Sequence, residues 1–258
     1  MAIKIESARN EKIKSIVKLT DSSRERKRQG LFLIEGKREI GLALSGGAEV
    51  INLFFCPDYG QAKPDLAEEA IIEVSKKVFS KISWRQHPDG LIALAKIREL
   101  KLEDLKLSSA PLLVILEAVE KPGNLGAILR TADAAGVDAV IINDSATDIY
   151  NPNVIRASQG TAFTVPVIVS SISETIKFCE RNKIKIYAAS PDAEREYADI
   201  DYTAGSAVLL GAEDKGLSAG WLKAADEKIK ITMRGKIDSL NVSVSTAVIL
   251  FEAVRQRK

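Results

Sequence analysis

Three stretches of this 258-residue chain gather the side chains that could do chemistry: residues 121–130, 211–218 and 233–243. Each follows an apolar run that reads as a strand. In open α/β sheets, ligands bind outside the carboxyl ends of the strands. A sheet that gathers these loops would make a site of several glycines, backbone amides, Asn124, Arg130, Glu213 and Asn241. Glycine would let the backbone approach a ligand closely. The third stretch then opens a long apolar segment that ends in Arg255 and Lys258, a basic end suited to a helix C-terminus. Asp238 or Ser239 is a reasonable N-cap for it. Ser239, Asn241, Ser243, Ser245 and Thr246 load its first turns with polar groups. That load fits a capped helix with small residues for close packing, or a ligand site at the helix N-terminus. His87 is the sole histidine, which argues against a histidine metal site or a Ser-His-Asp triad, and no metal is expected.

A second chemistry has to be weighed. Gly123-Asn124-Leu125-Gly126 leads from a strand into a helix, and Asp144 follows the next strand. This is the outline of a dinucleotide site, but G-x-x-G is not G-x-G-x-x-G. A nicotinamide-dependent enzyme is therefore the weaker reading.

The elements that must position these loops fall into two patterns. Residues 10–45 read as two helices around a basic joint at 24–30, with 31–34 equally readable as a short strand. A strand at 50–56, a helix at 66–74 and a strand at 91–94 complete a small α/β domain over residues 1–97. Charged residues 98–108 read as a linker. From residue 109 strands and helices alternate: strands at 112–116, 140–142, 165–169, 184–188, 207–210 and 229–233, with helices at 127–135, 151–160 and 172–179. The near-continuous apolar strand 112–116 is of the kind buried in a parallel sheet. The fold class is thus α/β, with a parallel-sheet C-terminal domain over residues 109–258.

Composition narrows the partners. A formal net charge of +2 does not announce a nucleic-acid binder. The basic excess sits early, in Arg24, Arg26, Lys27, Arg28, Lys37 and Arg38. Such a patch is the footprint of phosphate binding, or simply a solvated face. Cys56 and Cys179 lie far apart in apolar runs, which suits reduced thiols in a cytoplasmic protein. No apolar stretch reads as a signal peptide or membrane span.

The motifs carry a resemblance. Asn124-Leu-Gly-Ala-Ile-Leu-Arg130, Leu210-Gly211-Ala-Glu213-Asp-Lys-Gly216-Leu217 and Ser239-Leu240-Asn241-Val242-Ser243 occur in order, with Arg156-Ala-Ser158-Gln-Gly160 between them. The chain resembles the SpoU (TrmH-like) class of RNA ribose 2′-O-methyltransferases in the SPOUT superfamily. Residues 10–19, 24–36 and 90–94 are similar to the small ribosomal-protein-L30-like domain that precedes its catalytic domain. Thr232, where the family usually has proline, and Lys215 depart from the pattern.

The resemblance implies a trefoil knot in the C-terminal domain and a homodimer with active sites at the subunit interface. It implies S-adenosylmethionine as cofactor, held near Gly211, Ile231 and Leu240, with Ser239 and Ser243 beside it. Ser239 would cap the last helix. Arg130 would either give up a proton transiently or position the substrate phosphate and stabilise the developing alkoxide. Asn124 and Asn241 would orient Arg130 and the ribose, and Glu213 would fix the loop or the substrate. Arg24, Arg26, Lys27, Arg28 and Arg156 would bind RNA. Ribosomal RNA is the expected substrate. The alternatives are transfer RNA and, from another class, a non-catalytic RNA-binding assembly factor.

Overall fold

The apolar periods of the sequence resolve into two sheets with different strand directions. The computed structural model describes residues 3–60, 66–144 and 147–258. Strand β1 (Ile3–Ile5), helices α1 (Glu11–Asp21) and α2 (Ser23–Gln29), strand β2 (Leu31–Glu35), helix α3 (Lys37–Ser45), strands β3 (Val50–Phe55) and β4 (Ile71–Val74), helix α4 (Lys76–Ile82) and strand β5 (Leu91–Lys96) come first. Strand β6 (Leu112–Glu117), helix α5 (Pro122–Ala135), strand β7 (Ala139–Asn143), helix α6 (Pro152–Ala157), strand β8 (Val167–Val169), helix α7 (Ile172–Arg181) and strand β9 (Lys185–Ala189) follow. Strands β10 (Arg195–Glu196) and β11 (Ser206–Leu210), helix α8 (Ala219–Ala224), strand β12 (Glu227–Lys230) and helix α9 (Val242–Gln256) close the chain. The chain divides into two units, Met1–Arg98 with Asp148–Thr164, and Glu99–Thr147 with Val165–Lys258.

The first unit is built on a mixed five-stranded sheet in the order β1-β4-β3-β5-β2. Successive strand side chains point to opposite faces, so Leu33 enters one core and its neighbours Phe32 and Ile34 enter another. Ile13, Ile16 and Leu19 of α1 and Val78 and Phe79 of α4 cover the first face. Ile40 and Ala43 of α3 and Ile155 of α6 cover the second. That burial of Ile155 explains why the 148–164 segment belongs with this unit.

Several elements differ from expectation for local reasons. The basic joint 24–30 is itself helical: Ser22 caps α2 through its hydroxyl, and Gly30 ends it in the left-handed region. Of the two readings of 31–34, the strand holds, because β2 pairs with β5. The expected helix over 66–74 is a short 3-10 turn followed by β4. Its β-branched residues Ile71, Ile72 and Val74 favour a pleated surface.

Arg26 is corrected most sharply. It lies on α2 but is buried, with its side chain only 2% exposed. Its Nε donates to Asp148 at 2.7 Å, and its Nη1 donates to the Leu19 and Thr20 carbonyls. The guanidinium is therefore engaged inside the first unit and is not presented to a ligand.

The second unit is a seven-stranded sheet in the order β10-β12-β9-β11-β6-β7-β8, parallel throughout. Leu113, Ile115, Ile141, Ile186 and Leu209 pack with Phe178 of α7 and Trp221 of α8. Leu102, in the stretch expected as a linker, is buried in this core. Helix α9 packs on α5 and β11. The strand expected at 229–233 is β12, which ends at Lys230. Among the described residues, no helix is long and apolar enough to cross a membrane.

Removing one member of a buried ion pair leaves an uncompensated charge and costs about 3–5 kcal/mol. Arg26→Ala is expected to lose stability on that scale in urea denaturation. Arg28→Ala, on the exposed side of the same helix, is expected to leave the urea midpoint nearly unchanged.

Candidate active site

Because β6, β11 and β12 all run in one direction, the loops that leave them emerge at the same edge of the second sheet. The loop after β11 folds back on itself. Ala212 and Gly216 form an antiparallel bridge, and Gly216 adopts φ +64°. A side chain on Gly211 would put its Cβ 2.4 Å from the Gly216 carbonyl carbon and oxygen and 2.7 Å from Leu217 N. Only glycine lets that loop close. Glu117, the buried last residue of β6, accepts the Ser218 N–H at 2.7 Å and fastens the far end of the loop.

Glu213 projects from this loop as a common acceptor. Its carboxylate accepts from Asn124 Nδ2 at 2.8 Å, from Asn241 Nδ2 at 2.6 Å, and from Lys121 Nζ. Asn241 Nδ2 also donates to Asn124 Oδ1 at 3.2 Å. The carboxyl is held below its ordinary range, first by the Lys121 hydrogen bond, with burial opposing it and Asn124 and Asn241 adding to the lowering. It is therefore an ionised carboxylate at neutral pH, with its oxygens already engaged. Such a group organises its neighbours and is a poor proton acceptor.

Helix geometry sets the other two loops. Residues 123–126, expected as a loop, form the first turn of α5, with Pro122 at its start. Proline suits that position because the N–H it lacks has no helical partner there. Asn124 is thereby fixed on a rigid turn. The last helix begins later than expected. Its cap is Asn241, not Asp238 or Ser239, and Asn241 Oδ1 accepts from Ser243 N at 3.0 Å and Ser243 Oγ at 2.6 Å. One face of the Asn241 amide caps the helix while the other reaches Glu213.

A cleft of about 430 Å³ opens beside this cluster. Leu210, Gly211, Ile229, Ile231, Leu240 and Val242 supply its apolar wall. Glu213, Ser239, Asn241 and Ser245 supply polar groups. Of the expected cofactor residues, Gly211, Ile231, Ser239 and Leu240 line the cleft, whereas Ser243 is turned to the helix cap. Thr232, where proline was expected, donates its N–H and hydroxyl to Glu196, tying the exit of β12 to the end of β10. The size and mixed lining suit a small cofactor of roughly 300–1,000 Å³ pocket class. Among the described residues, no group of three His, Cys, Asp or Glu side chains could hold a metal ion.

Arg130 stands apart from the cluster. It is exposed on α5 and is not among the hydrogen-bond or ion-pair partners of Asn124, Glu213 or Asn241. Six residues along a helix place it about a third of a turn around from Asn124. In the first unit, Arg24, Lys27 and Arg28 are exposed on α2, Arg28 already pairing with Glu25 at 2.7 Å, and Arg156 is exposed on α6. Two residues escaped the sequence reading, Lys121 and Glu117. The signal for Glu117 was present, as a carboxylate closing an otherwise apolar strand.

Gly211→Ala is expected to cost about 1–3 kcal/mol through the backbone clash, read as a lower urea midpoint. Gly123→Ala, where an added Cβ meets nothing within 4 Å, is expected to be neutral or stabilising.

Comparisons with known proteins match the two parts of the chain separately, the match over the later part running through the 148–164 segment. Residues 111–251 match the SpoU rRNA Methylase family, and residues 10–93 match the MRM3-like substrate binding domain. The chain is 30% identical over 250 residues to the 23S rRNA (guanosine(2553)-2′-O)-methyltransferase RlmP of Bacillus subtilis (strain 168), covering 96% of this chain and 97% of that one. A crystal structure described as an RNA 2′-O ribose methyltransferase superposes with TM-score 0.85 at 40% identity, covering 99% of both chains. An AdoMet-bound rRNA methyltransferase from Sinorhizobium meliloti superposes with TM-score 0.89 at 28% identity over 98% of both chains.

Proposed function

We propose a substrate and a division of labour for this chain from one premise: it belongs to the SpoU rRNA methylase family. It is an RNA methyltransferase that acts on a ribose 2′-hydroxyl, with ribosomal RNA as substrate and S-adenosylmethionine as methyl donor. The observation that carries this reading is the convergence of Asn124, Glu213 and Asn241 from three separate loops at the mouth of the 430 Å³ cleft. The AdoMet-bound relative supports S-adenosylmethionine as the methyl donor. Family membership implies a trefoil knot in the loops around it.

The cofactor supplies an electrophilic methyl group on a sulfonium sulfur. The chain's own residues prepare the acceptor. Gly211, Ile231 and Leu240 line the cleft, and Ser239 adds a polar group to that lining. Asn124 and Asn241, held by the Glu213 carboxylate, orient the ribose so that its hydroxyl lies in line with the transferred group. A guanidinium is not normally deprotonated in a protein. Arg130 therefore serves by positioning the substrate phosphate and stabilising the developing alkoxide as the hydroxyl proton passes to solvent water. The first unit, carrying the substrate-binding match, holds the RNA.

In this reading Arg130, exposed on α5, enters the site of a second copy of the chain. Helix α9 supports that assembly. Val244 and Phe251 are 47% and 49% exposed, and Val248 between them is half-buried. Their spacing makes one apolar stripe along the helix. On α5, small residues Ala127, Thr131 and Ala134 flank Arg130 and permit close approach. A homodimer would cover both surfaces and place each Arg130 beside its partner's cluster.

The defining test is methyl transfer from labelled S-adenosylmethionine to total RNA from cells lacking this protein. Label is expected in a large ribosomal RNA, stable to alkali as a 2′-O-methyl dinucleotide. Label in transfer RNA would overturn the substrate, and no label would overturn the reaction. Arg130→Ala is expected to abolish transfer while changing cofactor affinity by less than a few-fold; collapse of cofactor binding would make it a structural residue. Val244→Asp with Phe251→Asp is expected to shift the protein from dimer to monomer in sedimentation and to remove activity. A wild-type monomer would sink the shared site.

A further inference from the structure

The first unit carries a cleft of about 450 Å³ that the reading above does not use. It lies at the start of α3, against the segment that follows α4 and the end of α6. Arg38, Glu39, Arg85, His87, Asp89 and Arg156 line it, with two glutamines, and no apolar side chain takes part. Peptide and drug-like ligands are anchored by apolar or aromatic groups in pockets. This cleft offers none, so it suits a ligand recognised by charge and hydrogen bonds alone.

The sign of that charge follows from who is already paired. Glu39 is buried and takes an ion pair from Arg85 at 2.7 Å. Asp89 accepts the Lys37 N–H at 2.7 Å and the Leu91 N–H at 3.3 Å. Both carboxylates are thus engaged from within the unit. Arg38 and Arg156 are exposed, and among the described residues neither has an ion-pair partner. The cleft therefore presents two free guanidinium groups over a floor in which Arg85 balances Glu39 and Asp89 is held by backbone N–H groups, so that its basic groups outnumber its acidic ones.

That floor is built into the backbone. Gly36 precedes α3 at φ +111°, and a Cβ there would fall 2.3 Å from Glu39 Oε2 and 2.5 Å from Arg85 Nη1. The glycine lets the Arg85–Glu39 pair lie directly under the turn. Behind it, the buried Glu35 accepts from Ser83 Oγ and the Trp84 N–H, pinning the strand end and the segment that delivers Arg85. Arg156 arrives from far along the sequence because Ile155 beside it is buried in this unit's core. Arginines held on two rigid helices are suited to bidentate contact with phosphate oxygens.

We propose that this cleft grips the phosphodiester backbone of the substrate RNA, with Arg38 and Arg156 as its phosphate ligands. The proposal rests on the reading that the protein acts on RNA. It moves the main backbone contact away from the basic run of α2. There Arg26 is buried against Asp148 and Arg28 is paired with Glu25, so that helix presents less free charge than its sequence suggests. Contacts of this kind set the register of the RNA and carry no sequence information.

The test is equilibrium binding of protein-free large ribosomal RNA, from cells lacking this protein, across a series of KCl concentrations. The full-length wild type is compared with Arg38→Glu plus Arg156→Glu. A charge-matched control, Lys12→Glu plus Lys18→Glu, alters α1 instead. The double arginine variant is expected to bind at least about tenfold more weakly near 0.1 M salt, with a salt slope shallower by about 1.4–1.8 for two lost phosphate contacts. Its melting temperature and cofactor affinity are expected to match wild type, since both side chains are exposed and unpaired. Unchanged affinity and slope would overturn the cleft, as would an equal loss in the α1 control. A wild type that binds through these arginines but transfers no methyl group would uphold the cleft and remove the enzymatic reading. A wild type that does not bind RNA would overturn both.

Discussion

The candidate site depends on the parallel direction of the seven strands β6 to β12. Parallel strands release all their carboxyl ends at one edge, so loops far apart in sequence meet without a special fold for each. Leu210, Glu117 and Lys230 end their strands there. Convergence brings the loops near one another but does not lock them. Locking falls to the Glu213 carboxylate, which accepts from the first turn of α5, from the cap of α9 and from Lys121. One anion with three donors makes the geometry of three loops a single unit. Half-exposed pairs are individually weak; the value of this cluster is orientation more than stability.

The same residue, Asn241, belongs to a stability argument and a chemical one. Its carbonyl oxygen caps α9, and its amide nitrogen joins the carboxylate. A cap is worth about 1 kcal/mol, so replacing Asn241 disturbs helix and site together. Asn124 is similarly constrained by its place in the first helical turn after Pro122. Polar residues that cost helix propensity in an interior position become useful where a helix starts, which is why both asparagines sit at helix N-termini.

Arginines in this chain show that charge alone does not define function. By side-chain type and charge Arg26, Arg28, Arg38 and Arg130 are the same. Arg26 is structural because Asp148 and two carbonyls surround it. Arg28 is paired at the surface with its helical neighbour Glu25. Arg38 and Arg130 are exposed and have no ion-pair partner among the described residues. A guanidinium without an internal partner is the one available to a phosphate.

By itself the sequence determined the class of fold, the parallel nature of the second sheet and the three stretches that meet at the candidate site. Those features are written in short-range patterns: continuous apolar strands such as 112–116, and glycines and asparagines at strand exits. The sequence also supported a family resemblance through motifs in order. Tertiary structure alone decided what depends on distant partners. It buried Arg26, assigned the 148–164 segment to the first unit through Ile155, and turned 71–74 into a strand against β3 and β1. It moved the cap of α9 from Asp238 or Ser239 to Asn241, because Asn241 alone meets both the helix amides and Glu213. It also brought in Lys121 and Glu117, whose roles come from contacts nearly a hundred residues away. Periodicity reports which face of an element is apolar. Which polar atom finds which partner is settled only when the chain closes on itself, because a hydrogen bond or ion pair is a matter of ångströms between residues that the sequence keeps apart.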